Sequence, residues 1–282
     1  MILVIGASGK VGGQAVRALV AKGLPVRTLS REPAKIDALG LGVEAVKGDL
    51  DDATTIPPAL EGVEKVFLVA GGFDIPTEET NVIEAAEAAG VAHLVLLSSL
   101  GADAGVASGP LHAPGEARLR SSSLSWTILR PAVFMANALM WRDTIRAQGV
   151  FYEPTGTGRH AMIHPTDIGE VAAEVLSADG SEHHGATHEL TGPEAISSAD
   201  CATALSAVLG TDVHHVDVPD EAFRDGMTKA GAPPPLVDSL ARYYAMVKAG
   251  EFAMVTPTVE SILGRPAQTF GQWAAENAAA FS

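Results

Sequence analysis

The chain alternates short, continuously apolar runs with longer Ala-rich stretches whose apolar positions recur at helical spacing. ILVIG at 2–6 comes first, and the amphipathic VGGQAVRALVAKG follows it. Further β-rich runs stand at PVRTLS (25–30), VEAVKG (43–48), KVFLVA (65–70), HLVLLS (93–98) and WTILRP (126–131). Between them PAKIDALG, ATTIPPALEG and TEETNVIEAAEAAG each have a polar or Pro start, an apolar stripe and a terminal Gly, the signals of helix entry and exit. Six strands joined by such crossovers predict an α/β fold, a doubly wound parallel sheet of order 3-2-1-4-5-6 with helices on both faces.

After Pro131 the alternation weakens. A helical stretch at ALMWRDTIRAQG leads into FYEPTGTGRHAMIHPTD, whose Gly and Pro content predicts a hairpin or an irregular loop. Regularity returns at Asp167, placed to cap the helix IGEVAAEVLSADG; ATHELTGP then reads as a strand that rejoins the sheet before the helix SSADCATALSAVLG. Residues 211–282 are mainly helical, with one short strand at VHHVDVP, and form a smaller lobe expected over the carboxyl edge of the sheet. A cleft between core and lobe is implied.

The first strand ends in GASGKVGG, a GxxGxxG pattern formed by Gly6, Gly9 and Gly12 with a helix expected to start near Lys10. A side chain at Gly6 or Gly9 would hold a pyrophosphate away from the backbone, and Gly12 lets the helix approach the sheet. The alternative, a glycine-rich turn without a ligand, is disfavoured by five further strands. After the second strand, where a carboxylate would select NAD(H), stand Ser30 and Arg31, with Lys35 one turn on. That pattern favours NADP(H), whose 2′-phosphate suits a guanidinium fork and a nearby ammonium; solvated cations at a helix start are the other reading. Asp49 and Leu50 fall beside the adenine, although GDLDD also fits a capping cluster.

Composition narrows the function. Against 19 Lys and Arg stand 34 Asp and Glu, a formal net charge of -15, which argues against a nucleic-acid partner and makes the cations near the glycine loop more informative. The one cysteine, Cys201, excludes an internal disulfide and any multi-thiolate metal site, and reads as a small core residue. His183/His184 and His214/His215 are adjacent pairs that do not share a helix face, so no metal is expected. No leader pattern and no membrane-length apolar run are present, which makes a cytoplasmic, non-membrane protein the expectation.

In combination GASGKVG, SREPAK, GDLDD, LVLLSSLGAD, WTILRPAVF, HPTDIGEVAAEVL and ELTGPEAIS resemble, in order and over nearly the whole chain, the NmrA-like family of atypical short-chain dehydrogenase/reductases. That family is similar in fold to quinone oxidoreductases and to triphenylmethane and azo-dye reductases, and it also includes redox-sensing regulators. The resemblance implies a single NAD(P)-binding domain over 1–282. Within it, a Rossmann core spans 1–135 with 164–210 returning to it, and 136–163 and 211–282 form a substrate-covering lobe. It implies that Gly6, Ser8, Gly9, Lys10, Val11 and Gly12 hold the pyrophosphate, Arg31 and Lys35 the adenosine phosphate, and Val69, Ala70 and Gly71 a ribose. Ser98 and Ser99 would lie beneath the nicotinamide, with Pro131, Val133 and Phe134 at its carboxamide. Phe134, Asn137 and Trp141 would face a substrate, core packing being the alternative for Phe134 and Trp141.

The chain departs from ordinary short-chain dehydrogenases at their Tyr and Lys, four residues apart on the helix after the fifth strand. Here LHAPGEARLR offers His112 and Glu116 at that spacing, and the YxxxK of Tyr244 and Lys248 lies far along the chain. Reducing a simple ketone makes a basic alkoxide and needs an acid, whereas quinones and cationic dyes give stabilised products. The expected function is therefore an NADPH-dependent oxidoreductase passing hydride to a planar, electron-poor aromatic or quinone-like acceptor, with a homodimer as an open assembly. His112 is the candidate proton donor, its alternative being a partly exposed histidine at a helix start. The rival readings are a non-catalytic NADP(H) redox sensor of the NmrA type and, more weakly, an isomerase using the nicotinamide transiently.

Overall fold

The computed structural model describes residues 1–72, 74–102 and 109–282; Asp103, which ends the LVLLSSLGAD motif, and Phe73 lie outside them. In chain order the strands are β1 (Ile2–Ile5), β2 (Val26–Ser30), β3 (Glu44–Lys47), β4 (Lys65–Leu68), β5 (His93–Leu97), β6 (Ser125–Pro131), β7 (Val150–Glu153), β8 (Arg159–His160), β9 (Ala186–Leu190), β10 (Ile196–Ser197) and β11 (His214–Asp217). The α-helices begin with α1 (Gly12–Ala21), α2 (Pro33–Asp37), α3 (Pro57–Leu60), α4 (Ile75–Ala88), α5 (Gly109–Arg120) and α6 (Arg142–Gln148). They continue with α7 (Pro165–Ser177), α8 (Ser198–Leu209), α9 (Asp220–Lys229), α10 (Pro234–Lys248), α11 (Thr258–Leu263) and α12 (Phe270–Glu276).

The chain divides into two compact units, the first comprising 1–131, 165–190 and 261–264. Its sheet has the order β3-β2-β1-β4-β5-β6-β9, with every neighbouring pair parallel. The 3-2-1-4-5-6 expectation holds, and ATHEL rejoins the sheet beside β6 as anticipated. β1 and β5 are buried at every position because helices flank the sheet, which is why they read as unbroken apolar runs. Leu3, Ile5, Val66, Leu68, Leu94 and Leu96 pack beneath Ile56 and Leu60 at α3, Val82 and Ile83 of α4 and Leu119 of α5. The alternate residues Val4, Phe67 and Val95, all fully buried, point to the opposite face. The edge strand β3 carries exposed Glu44 and Lys47, charges that discourage further pairing.

Helix boundaries moved where sequence signals were local. α1 starts at Gly12 rather than near Lys10, because 6–11 form a turn in which Gly9 N–H donates to Gly6 O at 2.9 Å. α4 starts at Ile75, capped by Asp74, two residues before the Thr77 expected from the pattern. α7 begins at Pro165, so Asp167 is a fully buried first-turn residue instead of the cap.

The second unit comprises 132–164, 191–260 and 265–282. Residues 191–210, expected to return to the core, belong to it: Cys201, Ala202 and Leu205 of α8 pack with Trp141, Phe151, Phe270 and Trp273. Of the hairpin or irregular loop expected at 151–167, no hairpin forms. β7 instead pairs in parallel with β11, and β8 pairs antiparallel with β10. These partners lie far along the chain, beyond the reach of turn signals.

Within the first unit α1 and α7 approach closely at Gly169, where an added Cβ would lie 2.5 Å from Gln14 Cβ and 2.7 Å from Ala15 N. Ala is normally favoured over Gly in a helix by about 1 kcal/mol. Overpacking reverses that preference here, so Gly169→Ala is expected to destabilise by about 1–3 kcal/mol, read as a lower urea midpoint with an unchanged m-value.

Candidate functional site

Sheet order reverses between β1 and β4, and such a switch point opens a crevice at the carboxyl ends of the strands. Gly6 closes β1 there with φ +77°, and a Cβ at this position would meet Val69 O, just past the end of β4, at 2.7 Å. Any side chain would force the two strand ends apart. Gly12 is constrained in the same way, since its Cβ would collide with the backbone carbonyl of Gly6. No side chain caps the start of α1, so the polarity of the helix terminus is available to an anion.

A pocket of about 280 Å³ occupies this crevice. It brings together ten of the expected site residues. Gly6, Ser8 and Gly9 form the glycine-loop side; Arg31 and Lys35 stand near the end of β2, Asp49 and Leu50 follow β3, and Val69, Ala70 and Gly71 follow β4. Asn81 Nδ2 donates to Leu50 O at 2.8 Å, and the Asp49 N–H donates to Thr55 Oγ1 at 2.9 Å. The capping alternative for GDLDD falls to another residue: Asp52 Oδ1 accepts the Thr54 N–H at 3.0 Å and caps the short turn at 53–55, while Asp49 lines the pocket. Lys35 Nζ lies 2.6 Å from Glu32 Oε1, with both side chains more than 60% exposed (62% and 64%). An exposed pair of this kind contributes about 0–1 kcal/mol, so a phosphate can displace Glu32 at little cost.

Sequence reasoning missed Glu78. Buried at the start of α4, it lines the pocket and accepts the N–H groups of Gly71 and Gly72, both at 3.1 Å. A Cβ at Gly72 would meet the Glu78 carboxylate, so any side chain there would displace this acid from its place. No motif signals this bond, since acceptor and donors lie on either side of a loop. The other residues expected at the phosphates, Lys10, Val11 and Gly12, are not part of the pocket lining: Lys10 is exposed, while Val11 and Gly12 are buried at the root of α1.

Farther along the same strand edge, Ser98 is buried and donates to Glu116 Oε1 at 2.5 Å. Arg130 grips Glu116 with two bonds, Nε to Oε1 at 2.8 Å and Nη2 to Oε2 at 2.6 Å, and Arg120 adds a third cationic contact at 2.9 Å. Burial alone would raise the Glu116 carboxyl, but the bonds from Arg130 and Ser98 outweigh it and hold it below the usual range. Ser99 is half-buried next to this network, and Pro131 O accepts the Leu100 N–H at 2.9 Å. His112 departs from the partly exposed reading. It is buried, with Nδ1 2.7 Å from Oε1 of the fully buried Glu79.

In the second unit Phe134 and Val133 are half-buried and Asn137 is exposed. Trp141 is a core residue: its ring stacks on Phe151 at 4.0 Å and its Nε1–H donates to Glu153 Oε1 at 2.9 Å. Glu153 also accepts from Tyr244 Oη at 2.6 Å and Ser198 Oγ at 2.9 Å. Burial pushes the Glu153 carboxyl up against these three bonds, and burial beside Glu153 pushes the Tyr244 phenol well up. The YxxxK match at Tyr244 is therefore a structural donor to a buried acid. Cys201 is fully buried, as expected of a core thiol.

Residues 6–179 match the family described as NAD(P)H-binding. The chain belongs to this family. The match bears out the NAD(P)H-binding part of the resemblance read from the motifs, and the glycine loop, the uncapped α1 and the crevice at the strand ends fit the nucleotide. An NAD(P)H azoreductase from Xenophilus azovorans is 38% identical over 100% of this chain and 99% of its own. A (4-alkanoyl-5-oxo-2,5-dihydrofuran-3-yl)methyl phosphate reductase from Streptomyces griseus is 37% identical over 100% and 99%. The crystal structure of an NADPH-dependent quinone oxidoreductase from Escherichia coli, complexed with NADPH, superposes with a TM-score of 0.89 at 29% identity, covering 98% of this chain and 99% of that one. Among the described residues no helix is long and apolar enough to cross a membrane, and no group of three or more His, Cys, Asp or Glu is placed to hold a metal ion.

Tyr244→Phe removes one of three donors to Glu153 and is expected to cost about 1–3 kcal/mol of stability. The loss should register in thermal unfolding, while the pH dependence of NADPH oxidation keeps its shape.

Proposed function

We propose that this family member is an NADPH-dependent oxidoreductase that passes hydride to a planar, electron-poor acceptor such as a quinone, an azo dye or a triarylmethane cation. The observation that carries this reading is the end-to-end relation to an NAD(P)H azoreductase. Bound NADPH supplies the hydride. The chain's own part includes binding, orienting and excluding water. Gly6, Ser8 and Gly9 present backbone to the pyrophosphate, aided by Lys10, Val11 and Gly12 at the start of α1. Arg31 and Lys35 take the 2′-phosphate, and the absence of a carboxylate at Ser30 removes the repulsion an acidic residue would exert on it. Asp49 and Leu50 flank the adenine. Val69, Ala70 and Gly71 flank a ribose, Ser98, Ser99, Pro131, Val133 and Phe134 the nicotinamide, and Phe134 and Asn137 the acceptor.

The acceptor class follows from what α5 offers. The three tyrosines of the chain are Tyr152, Tyr243 and Tyr244, so no phenol stands on this helix. Glu116, at the position of the usual lysine, is ion-paired with Arg130 and gives up no proton near neutrality. Neither position supplies the acid that an ordinary short-chain dehydrogenase gives to a ketone, whose reduction generates an alkoxide; a quinone or dye cation, whose product is stabilised, depends less on such an acid. The 37% identical relative adds an unsaturated five-membered lactone phosphate to the acceptors worth testing. A cytoplasmic setting suits this chemistry.

NADPH deuterated stereospecifically at C4 should transfer label to one or more members of a panel of quinones, azo dyes and triarylmethanes. Absence of NADPH oxidation across that panel, with NADPH still bound, would overturn the reading in favour of a redox sensor. Arg31→Asp should weaken NADPH by about 10- to 100-fold and NADH little, measured as Kd by titration. Equal losses for both nucleotides would show that Arg31 does not read the phosphate.

A further inference from the structure

Two consecutive acids at the start of α4 have different partners. Glu78 ties the loop after β4 through Gly71 and Gly72, and Glu79 turns to α5 and meets His112. Both helices begin where the chain leaves a carboxyl strand end, so the Glu79–His112 pair sits at the same edge of the sheet as the pocket. Glu79 is the chain neighbour of the pocket residue Glu78, although neither Glu79 nor His112 lines the pocket, and His112 stands one turn of α5 before Glu116, which holds Ser98 at the end of β5.

The pair is closely fitted. Gly115 stands opposite Glu79, where a Cβ would collide with Oε2 of the carboxylate, so α5 is built to admit this acid. Oε1 is taken by His112, and Oε2 is buried without a hydrogen-bond partner among the described residues. A bare oxygen on a buried acid is costly to stability. When Glu79 is ionised it only accepts, so the hydrogen of their bond then sits on His112 Nδ1 and Nε2 is the ring nitrogen left to exchange a proton. The His112 side chain keeps 10% exposure against 0% for Glu79, which leaves the imidazole a path to water and the acid none.

We propose that Glu79 and His112 form a carboxylate–imidazole dyad that protonates acceptors whose reduction leaves a basic anion, His112 donating the proton and Glu79 acting as its positioning residue. This rests on the oxidoreductase reading above. Reduction of an N=N bond or a quinone adds one hydride and one proton. The hydride, with its electron pair, comes from the reduced nicotinamide, while the Nε2–H bond of the imidazolium breaks and an N–H or O–H bond forms on the acceptor. The neutral imidazole keeps its Nδ1–H on Glu79 and recovers a proton from water. Among the described residues, the other charges facing the dyad are Glu78 on the same helix and Glu116 on α5, the latter balanced by Arg130 of β6. Burial pushes the Glu79 carboxyl up, and the bond from His112 opposes that push.

Acceptors separate this chemistry from packing. Hydride addition to a triarylmethane cation gives a neutral product and needs no proton, whereas an azo bond leaves a strongly basic nitrogen anion. With saturating NADPH, His112→Ala should lower the ratio of azo-dye to triarylmethane turnover by about 100-fold, the size of a lost general acid, and remove the alkaline limb of the azo pH–rate profile. Glu79→Gln keeps an acceptor for Nδ1 but drops the charge, and should move that limb to lower pH. An unchanged ratio, or an equal loss on all acceptors in both variants, overturns the dyad. Failure of the unsubstituted protein to turn over any acceptor overturns the oxidoreductase reading itself, so the two failures are distinguishable.

Discussion

Everything in the nucleotide crevice depends on how closely β1 and β4 end beside each other. At Gly6 the backbone turns through a positive φ and passes so near Val69 that a single added carbon would lie 2.7 Å from its carbonyl oxygen. Only the residue without a Cβ satisfies both the dihedral and the approach. The consequence is a loop that presents backbone to the crevice and feeds an uncapped α1, whose orphan amides favour an anion. The cations Arg31 and Lys35, the pocket side of Asp49 and the loop after β4 then face one volume because parallel strands deliver their carboxyl ends to one edge.

Buried carboxylates are the second organising feature of this acidic chain, and each is satisfied by different chemistry. Glu116 is held by the guanidinium of Arg130 in a two-bond clasp, with Ser98 as an additional donor. Glu153 has no such clasp and relies on an indole, a phenol and a hydroxyl. Glu79 has one imidazole and one bare oxygen. The first two arrangements are nearly complete and secure the packing of their units. The third is incomplete among the described residues, with Oε2 left without a partner.

Much of the site was legible because its signals are local. Gly6, Arg31 and Val69 each sit immediately after a strand that the hydrophobic pattern reveals, Gly9, Lys35 and Asp49 follow a few residues on, and strand ends converge in a doubly wound sheet. Glu78 was invisible because its donors, Gly71 and Gly72, lie before the helix that carries it and nothing in the spacing ties them together. Trp141 illustrates the opposite difficulty: an aromatic after a nucleotide motif suggests a substrate platform, yet its stacking on Phe151 and its bond to Glu153 depend on strands and helices from distant parts of the chain.

The sequence by itself determined the strands, the crossovers and the glycine turn, since periodicity, Gly and Pro act within a few residues and steric rules leave few topologies. It also determined that the fifth strand would be followed by His112 and Glu116 instead of a Tyr and Lys. Only the tertiary structure decided what those two residues meet. Glu116 became an ion pair because β6 carries Arg130 beneath it, and His112 met Glu79 because α4 and α5 pack side by side with a glycine at the point of contact. Burial and partner set the charge and reach of an ionisable side chain, and both arise from chain segments that the local sequence does not bring together.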